Sequence, residues 1–215
     1  MKDILVLCDD FWHPGEVIKR GFGSIKTGAY AFDFVCDAKD ILYPEMLERY
    51  AAVINCKGNV LTGANNAAWF EDGVTEAGVK EFEDYVRGGH GFLSLHSGNT
   101  AKEGSAYGDF VGNTFAGHPP RCSINVEITG SHPITQGIGN FSIRDEHYNI
   151  KCHVSDAVEL FRTVSETGGT QIGGYVRQIG KGRLCVMTPG HILSVWEHPA
   201  YQKLILNALD WSTGA

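Results

Sequence analysis

Four short apolar runs, at residues 4–8, 51–56, 91–96 and 184–187, punctuate the chain without the alternation of a half-exposed strand. Continuous runs of that length are what strands covered on both faces of a parallel sheet require. Ala31 to Cys36 adds another strand, and helical spacing fills the intervals. Pro44 to Tyr50 is a short helix with Pro at its start. Val79, Phe82 and Val86 recur on one face between Glu76 and Arg87, charges placed as the helix dipole prefers. Tyr201, Leu204, Ile205, Ala208 and Leu209 fall at i, i+3, i+4, i+7 and i+8 behind Pro199. Strands alternating with helices predict an α/β domain with a mostly parallel central sheet and helices on both faces. Ile124 to Ile128 alternates as a half-exposed strand does, and Val158–Val164 with Tyr175–Ile179 reads as two strands joined through a Gly-rich connection. Two segments resist this reading: Lys57 to Gly73 is a loop too polar for the core, and Asn99 to Pro120 is a long excursion above the sheet.

The sequence is organised around Gly88-Gly89-His90-Gly91-Phe92-Leu93-Ser94-Leu95-His96-Ser97-Gly98. Two glycines close a helix, a buried strand follows, and small residues make a tight turn that lifts His96 at the strand's carboxyl edge. Ligands of open α/β sheets bind at that edge. A lone His there would read as a satisfied core group, but three further stretches join it. Gly117-His118-Pro119 fixes His118 in extended backbone, Asp145-Glu146-His147-Tyr148 follows an apolar run, and Gly190-His191 ends the last buried strand. The loop after the first strand adds Phe11, Trp12 and His13. His132, before Pro133, reads as a residue that caps or packs rather than reacts.

Length and charge narrow the classes. A chain of 215 residues with no linker or composition shift predicts one domain over 1–215. A formal net charge of -7 with no Lys/Arg cluster excludes a nucleic-acid partner, and no apolar run reaches the length of a membrane span. Met1-Lys2-Asp3-Ile4 enters a strand pattern at once, so the expected compartment is the cytoplasm. The 6 Cys contain no Cys-x-x-Cys pair, and Cys8, Cys36, Cys56 and Cys185 sit in or at the end of apolar runs, as structural free thiols do.

These segments, with Ser131-His132-Pro133-Ile134, Gly180-Lys181-Gly182-Arg183 and Trp196, resemble in order the trehalose-utilisation (ThuA-like) family. The resemblance implies a flavodoxin-like, three-layer fold similar to class I glutamine amidotransferases. Their nucleophile elbow reads Gly-x-Cys-x-Gly, whereas Ser94-Leu95-His96-Ser97-Gly98 places His96 where the Cys belongs. Glutamine hydrolysis is therefore not expected. The Pro-Glu that should follow the triad His is also absent, being Ile192-Leu193 after His191. The resemblance further implies sugar metabolism beside a sugar dehydrogenase that makes 3-keto sugars.

Three functions follow as expectations. The first is acid-base chemistry on a disaccharide or its 3-keto derivative. It uses His96 as base, with Glu146, Tyr148 or His191 as acid, and Trp12, His13, His118, Tyr148 and Trp196 to bind the sugar. The second is a metal-dependent variant, with a divalent ion such as zinc held by His13, His96, His118, Glu146 and His191, although no His-x-His or His-Glu-x-x-His spacing supports it. The third is a non-catalytic sugar-binding module in which Trp12, Trp69 and Trp196 stack on pyranose faces. A homo-oligomer is compatible with all three.

Overall fold

The computed structural model describes residues 1–36, 42–58 and 76–214. Trp69 and most of the polar loop after Lys57 lie outside the described residues.

The sheet is built from β1 (Lys2–Leu7), β2 (Tyr30–Val35), β3 (Ala52–Asn55), β4 (Gly91–Leu95), β6 (Cys122–Ile128), β7 (Phe141–Asp145), β9 (Val158–Ser165), β10 (Gly169–Ile179) and β11 (Gly182–Met187). Its order is β2-β1-β3-β4-β11-β10-β9-β6-β7. The first five strands are parallel, with Leu7 beside Val35, Val6 beside Ile54, Ile54 beside Leu93 and Met187 beside Leu95. The last four add on antiparallel. The parallel half has the flavodoxin-like order, with β11 in the place of the fifth strand.

Alternate residues of the buried strands feed two cores. Ile4, Val6, Ile54, Leu93, Leu95, Cys185 and Met187 pack with α1 (Gly15–Gly23), α5 (Leu193–Trp196) and α6 (Pro199–Thr213) on one face. Leu5, Leu7, Val53, Phe92, Leu184 and Val186 pack on the other with α2 (Pro44–Leu47), α3 (Val79–Gly88) and α4 (Ala106–Val111). The absence of alternation in the sequence is thus the trace of two apolar faces. In α3, Val79, Phe82 and Val86 are buried as their spacing requires, each contributing about 1.5–3 kcal/mol relative to exposure. Gly89 ends this helix at φ 130, with its N–H on the Val86 carbonyl.

Three segments differ from the sequence expectation. The excursion after Asn99 contains α4 and β5 (Asn113–Gly117), which pairs with β8 (Asn149–Cys152) as a separate two-stranded sheet. The Gly-rich connection before Tyr175 is itself strand, because the absent side chains of Gly173 and Gly174 make room for the Phe161 ring of β9. Lys57 is buried, its ammonium donating to the backbone carbonyls of Cys8, Asp9 and Cys36. It clamps the carboxyl ends of β1 and β2 beneath the site. The six cysteines are thiols rather than disulfides, with Cys8 Sγ 3.8 Å from Cys36 Sγ.

Candidate active site

Among the described residues, Asp9 (φ 77) and His96 (φ 44) are the non-glycine residues with positive φ. Both stand just past the carboxyl ends of parallel strands. Such strain persists only where the surroundings impose it, and it gathers at functional sites. After β4 the chain enters a tight turn, His96–Asn99, pinned by Ser97 Oγ donating to the Cys56 carbonyl at 2.7 Å. His96 is held inward and is 1% exposed, so it is a buried group rather than one lifted clear of the core.

Its ring is oriented by a carbonyl. Nδ1 lies 2.8 Å from Thr188 O, which can only accept, so Nδ1 carries the proton and Nε2 presents a lone pair. That Nε2 is buried without a hydrogen-bond partner. Burial, then the neighbouring His13, push the imidazole well below its ordinary pKa and keep it neutral. His13 is built the same way. Its Nδ1 donates to Asp10 Oδ1 at 2.7 Å, and its Nε2 is likewise buried and unpartnered. Asp10 itself accepts from the backbone N–H groups of Trp12, His13 and Gly58. Burial alone would raise its pKa, but the His13 hydrogen bond and these amides outweigh it and hold the carboxylate below the usual range. The sequence reading passed over Asp10. The available signal was a carboxylate at the end of β1 three residues before a His.

Glu146 is the hub. Its Oε2 lies 3.1 Å from His191 Nδ1, 3.6 Å from His118 Nε2 and 3.7 Å from His96 Nε2. Burial opposes its ionisation, yet the surrounding imidazoles, His191 first, hold it below the ordinary glutamate value. His191 Nδ1, close as it is, has no aligned hydrogen bond. One nitrogen each from His13, His96 and His191 and one oxygen of Glu146 therefore lie within 4.8 Å of one another, a set that could hold a metal ion. His118 stands outside that set, its Nδ1 2.8 Å from the Pro119 carbonyl.

A cavity of about 380 Å³ opens above this cluster, lined by Asp10, Trp12, His13, Gly58, Thr100, Phe115, His118, Glu146, Tyr148 and His191. Tyr148 stacks on His96 at 4.2 Å and on His118 at 5.5 Å. Burial raises its pKa well above the ordinary value, so the hydroxyl keeps its proton. Trp12 is 63% exposed and forms the rim, edge-on to Phe11. The structure thus brings His13, His118, Glu146, Tyr148, His191 and Trp12 to one cavity, with His96 directly beneath. It does not bring Trp196, which is 1% exposed and packs in the core against Phe22 and Tyr201. Trp196 is therefore a core residue, not a sugar-stacking one. Thr100 and Phe115, inside the excursion without periodicity, were missed.

The run Asp145-Glu146-His147-Tyr148 divides in space. Asp145, the last residue of β7, is buried and accepts from the N–H groups of Gly190 and His191, which ties β7 to the turn after β11. Burial raises its pKa to about 6. His147 points away from the cavity, with Nδ1 2.6 Å from Ser165 Oγ and Nε2 3.0 Å from Thr163 Oγ1. It is structural, and His132 caps the turn at Pro133 as expected.

These groups set the pH dependence of stability. His96, His132 and His147 all have lowered pKa values, with burial the leading cause. Below about 6.5 the unfolded chain therefore takes up protons that the native chain refuses, and stability is lost as pH falls. Asp145, raised to about 6, gains stability over the same descent, but one group opposes three. The urea midpoint is expected to fall between pH 7.5 and 5.5, and His147→Gln to flatten the profile. A midpoint that rises toward pH 5.5 would contradict this.

The trehalose-utilisation (ThuA) family profile matches residues 12–212. A ThuA-like protein from Parabacteroides merdae superposes with a TM-score of 0.76 at 14% identity, over 99% of this chain and 90% of that one. A cytoplasmic protein from Salmonella typhimurium gives 0.69 at 12% identity, over 99% of both chains. The β-galactosidase of Rahnella sp. R3 gives 0.63 at 12% identity, over 98% of this chain but 31% of that one. No curated protein is matched. At these identities the likeness to solved structures shows the fold, and the profile, spanning nearly the whole chain, shows the family: the protein belongs to the ThuA trehalose-utilisation family.

Proposed function

We propose that the chain is an enzyme of sugar metabolism that acts on an uncharged sugar, a disaccharide or its 3-keto derivative, by acid-base chemistry in this cavity. The observation that carries the reading is the lining. Trp12, Phe115 and Tyr148 offer aromatic faces, while Asp10, Thr100, His118, Glu146 and His191 offer donors and acceptors to hydroxyl groups. No Lys or Arg lines the cavity among the described residues. Residues 59–75, which follow Gly58 in sequence, contain neither. Lys57 is committed to backbone carbonyls. A phosphate or carboxylate would meet Asp10 and Glu146 with no cationic side chain to pair it, which selects against charged sugars. None of the six cysteines lines the cavity either, in keeping with a site that does not hydrolyse glutamine.

A ketone acidifies the neighbouring C–H, and the chemistry needs a base for that proton and a donor for the oxygen. His96 lies below the cavity rather than in its wall, so the base role passes to His118, which lines the wall beside Glu146. The Tyr148 hydroxyl is the donor facing the developing oxyanion. A keto substrate has to be supplied by an oxidation, which makes a sugar dehydrogenase the functional partner in a cytoplasmic setting.

Thermal melting against a panel of sugars tests the reading, because a ligand that binds only the native state raises the melting temperature. Trehalose-type disaccharides or their 3-keto forms are expected to protect, their phosphorylated counterparts are not, and Trp12→Ala should weaken the protection. Protection by sugar phosphates alone would overturn the proposal. Protection without consumption of any keto sugar would turn the protein into a sugar-binding module.

A further inference from the structure

We infer that His13, His96, His191 and Glu146 form a binding site for one divalent transition-metal ion of the zinc class, open to the floor of the cavity. Four observations carry it. First, the four ligand atoms lie within 4.8 Å of one another. Nitrogen and oxygen ligands about 2.0–2.2 Å from a tetrahedral zinc stand roughly 3.3–3.6 Å apart, so side-chain movements of about 1 Å close the set on the ion. Second, three of these atoms, His13 Nε2, His96 Nε2 and His191 Nδ1, are buried and make no aligned hydrogen bond, His191 Nδ1 having the Glu146 carboxylate beside it at 3.1 Å. Buried polar atoms left without an aligned partner are costly and rare in folded proteins, and the convergence of ring nitrogens on one point is the arrangement a cation would satisfy.

Third, the outer groups are those of a metal centre. His13 donates its other nitrogen to the Asp10 carboxylate, and His96 donates its own to the Thr188 carbonyl. A second hydrogen bond of this kind fixes tautomer and ring direction in metal-bound histidines. Fourth, the charges agree. The carboxylates of Asp10 and Glu146 lie against the His13 and His191 imidazoles, and no Lys or Arg lines the cavity to pair them among the described residues. Imidazole with carboxylate suits zinc, cobalt, nickel, manganese or iron, whereas calcium and magnesium prefer oxygen throughout. The inference deepens the sugar reading without depending on it. A cation here would act as a Lewis acid toward a carbonyl or hydroxyl oxygen. His118, outside the ligand set, stays free for proton transfer.

Full-length protein stripped with a chelator and dialysed against Zn²⁺ or Co²⁺ tests the site. One ion per chain is expected by elemental analysis, with a Co²⁺ visible absorption band from a four- or five-coordinate centre. His191→Ala and Glu146→Gln remove ligands from partly exposed positions, so these variants should fold and lose affinity by at least about 100-fold. Asp10→Asn, which keeps every direct ligand, should lose about 10–100-fold and shift the Co²⁺ band. Wild-type protein that takes up less than about a tenth of an equivalent would overturn the inference. So would affinity left unchanged in both His191→Ala and Glu146→Gln. Sugar protection measured in chelator separates this outcome from the functional reading: protection without ion uptake refutes the metal site alone, and ion uptake with no sugar protection, in chelator or with the ion restored, refutes the sugar reading alone.

Discussion

Replacing His96 by Asn is expected to lower turnover of an uncharged keto sugar by about 10³-fold while the chain still folds. The size follows from what one side chain holds together. The imidazole packs against Tyr148, His13 and His191 at ring distances of 4.2, 4.8 and 5.6 Å, and it aims an unpartnered nitrogen at Glu146. Losing it removes a member of the polar floor and the ring on which Tyr148 stacks. A 10³-fold loss corresponds to about 4 kcal/mol of transition-state stabilisation. Asn is the informative substitution because it tolerates the left-handed backbone that His96 adopts at φ 44. Ala there would add strain of about 1–2 kcal/mol to the lost packing. The buried setting also means a measurable stability cost, on the order of 2 kcal/mol, where an exposed elbow would have shown none. Steady-state kinetics on 3-keto disaccharides and circular-dichroism melts check both halves. A kcat within a few-fold of wild type would reduce His96 to a structural role.

The legibility of the fold followed burial. β1, β3, β4 and β11 stood out because both faces are covered and apolar residues follow one another without alternation, as in Ile4–Leu7, Ala52–Ile54, Phe92–Leu93 and Leu184–Met187. β6 was readable for the opposite reason: its alternate positions, Ile124 and Val126, are buried and the intervening ones are exposed. β8 left no trace, since four residues with one buried member carry no period. α4 is six residues long, too short for a helical stripe to emerge from the glycines around it. Gly173 and Gly174 misled because glycine signals a turn, whereas here it marks where a neighbouring ring presses on a strand.

The candidate site was partly legible for a different reason. Strand ends are predictable, so His96, His191 and Glu146 could be placed at one edge of the sheet, together with the His13 and His118 loops. Which way a side chain turns within a run is not encoded by residue type. Glu146 and Tyr148 face the cavity while Asp145 and His147 turn into the protein, each satisfied by its own partners. Trp196 shows the same limit. Its placement depends on Gly21 of α1, where an added Cβ would stand 2.4 Å from the Trp196 side chain, and such a helix-to-helix fit has no local signature. Asp10 was hidden because its role is to hold His13, a relation between two loop residues that appears only once the loop has closed on Gly58.

Gly98→Ala is expected to cost about 2–4 kcal/mol of stability and to impair the site at the same time, although Gly98 touches no ligand. A Cβ at this position would stand 2.3 Å from the Asn55 carbonyl oxygen and 2.9 Å from Ser94 Oγ. The first is backbone at the end of β3 and cannot swing aside, so the turn after β4 has to move off the sheet. Ser94 Oγ is no freer, since it donates to Asn99 Oδ1 at 2.8 Å inside a buried polar network. Displacing the turn carries His96 with it, only two residues away. A shift of about 1 Å is enough to cost on the order of 10²-fold in rate where a catalytic arrangement depends on position. Gly139→Ala is the control: nothing lies within 4 Å of its Cβ, and it lacks a positive φ. That substitution should leave the melting temperature unchanged or slightly raised, by limiting the unfolded chain. Denaturant melts and sugar turnover for the two variants side by side measure the contrast. If Gly98→Ala melts with wild-type stability, the close fit of the turn against β3 is not what holds His96 in place.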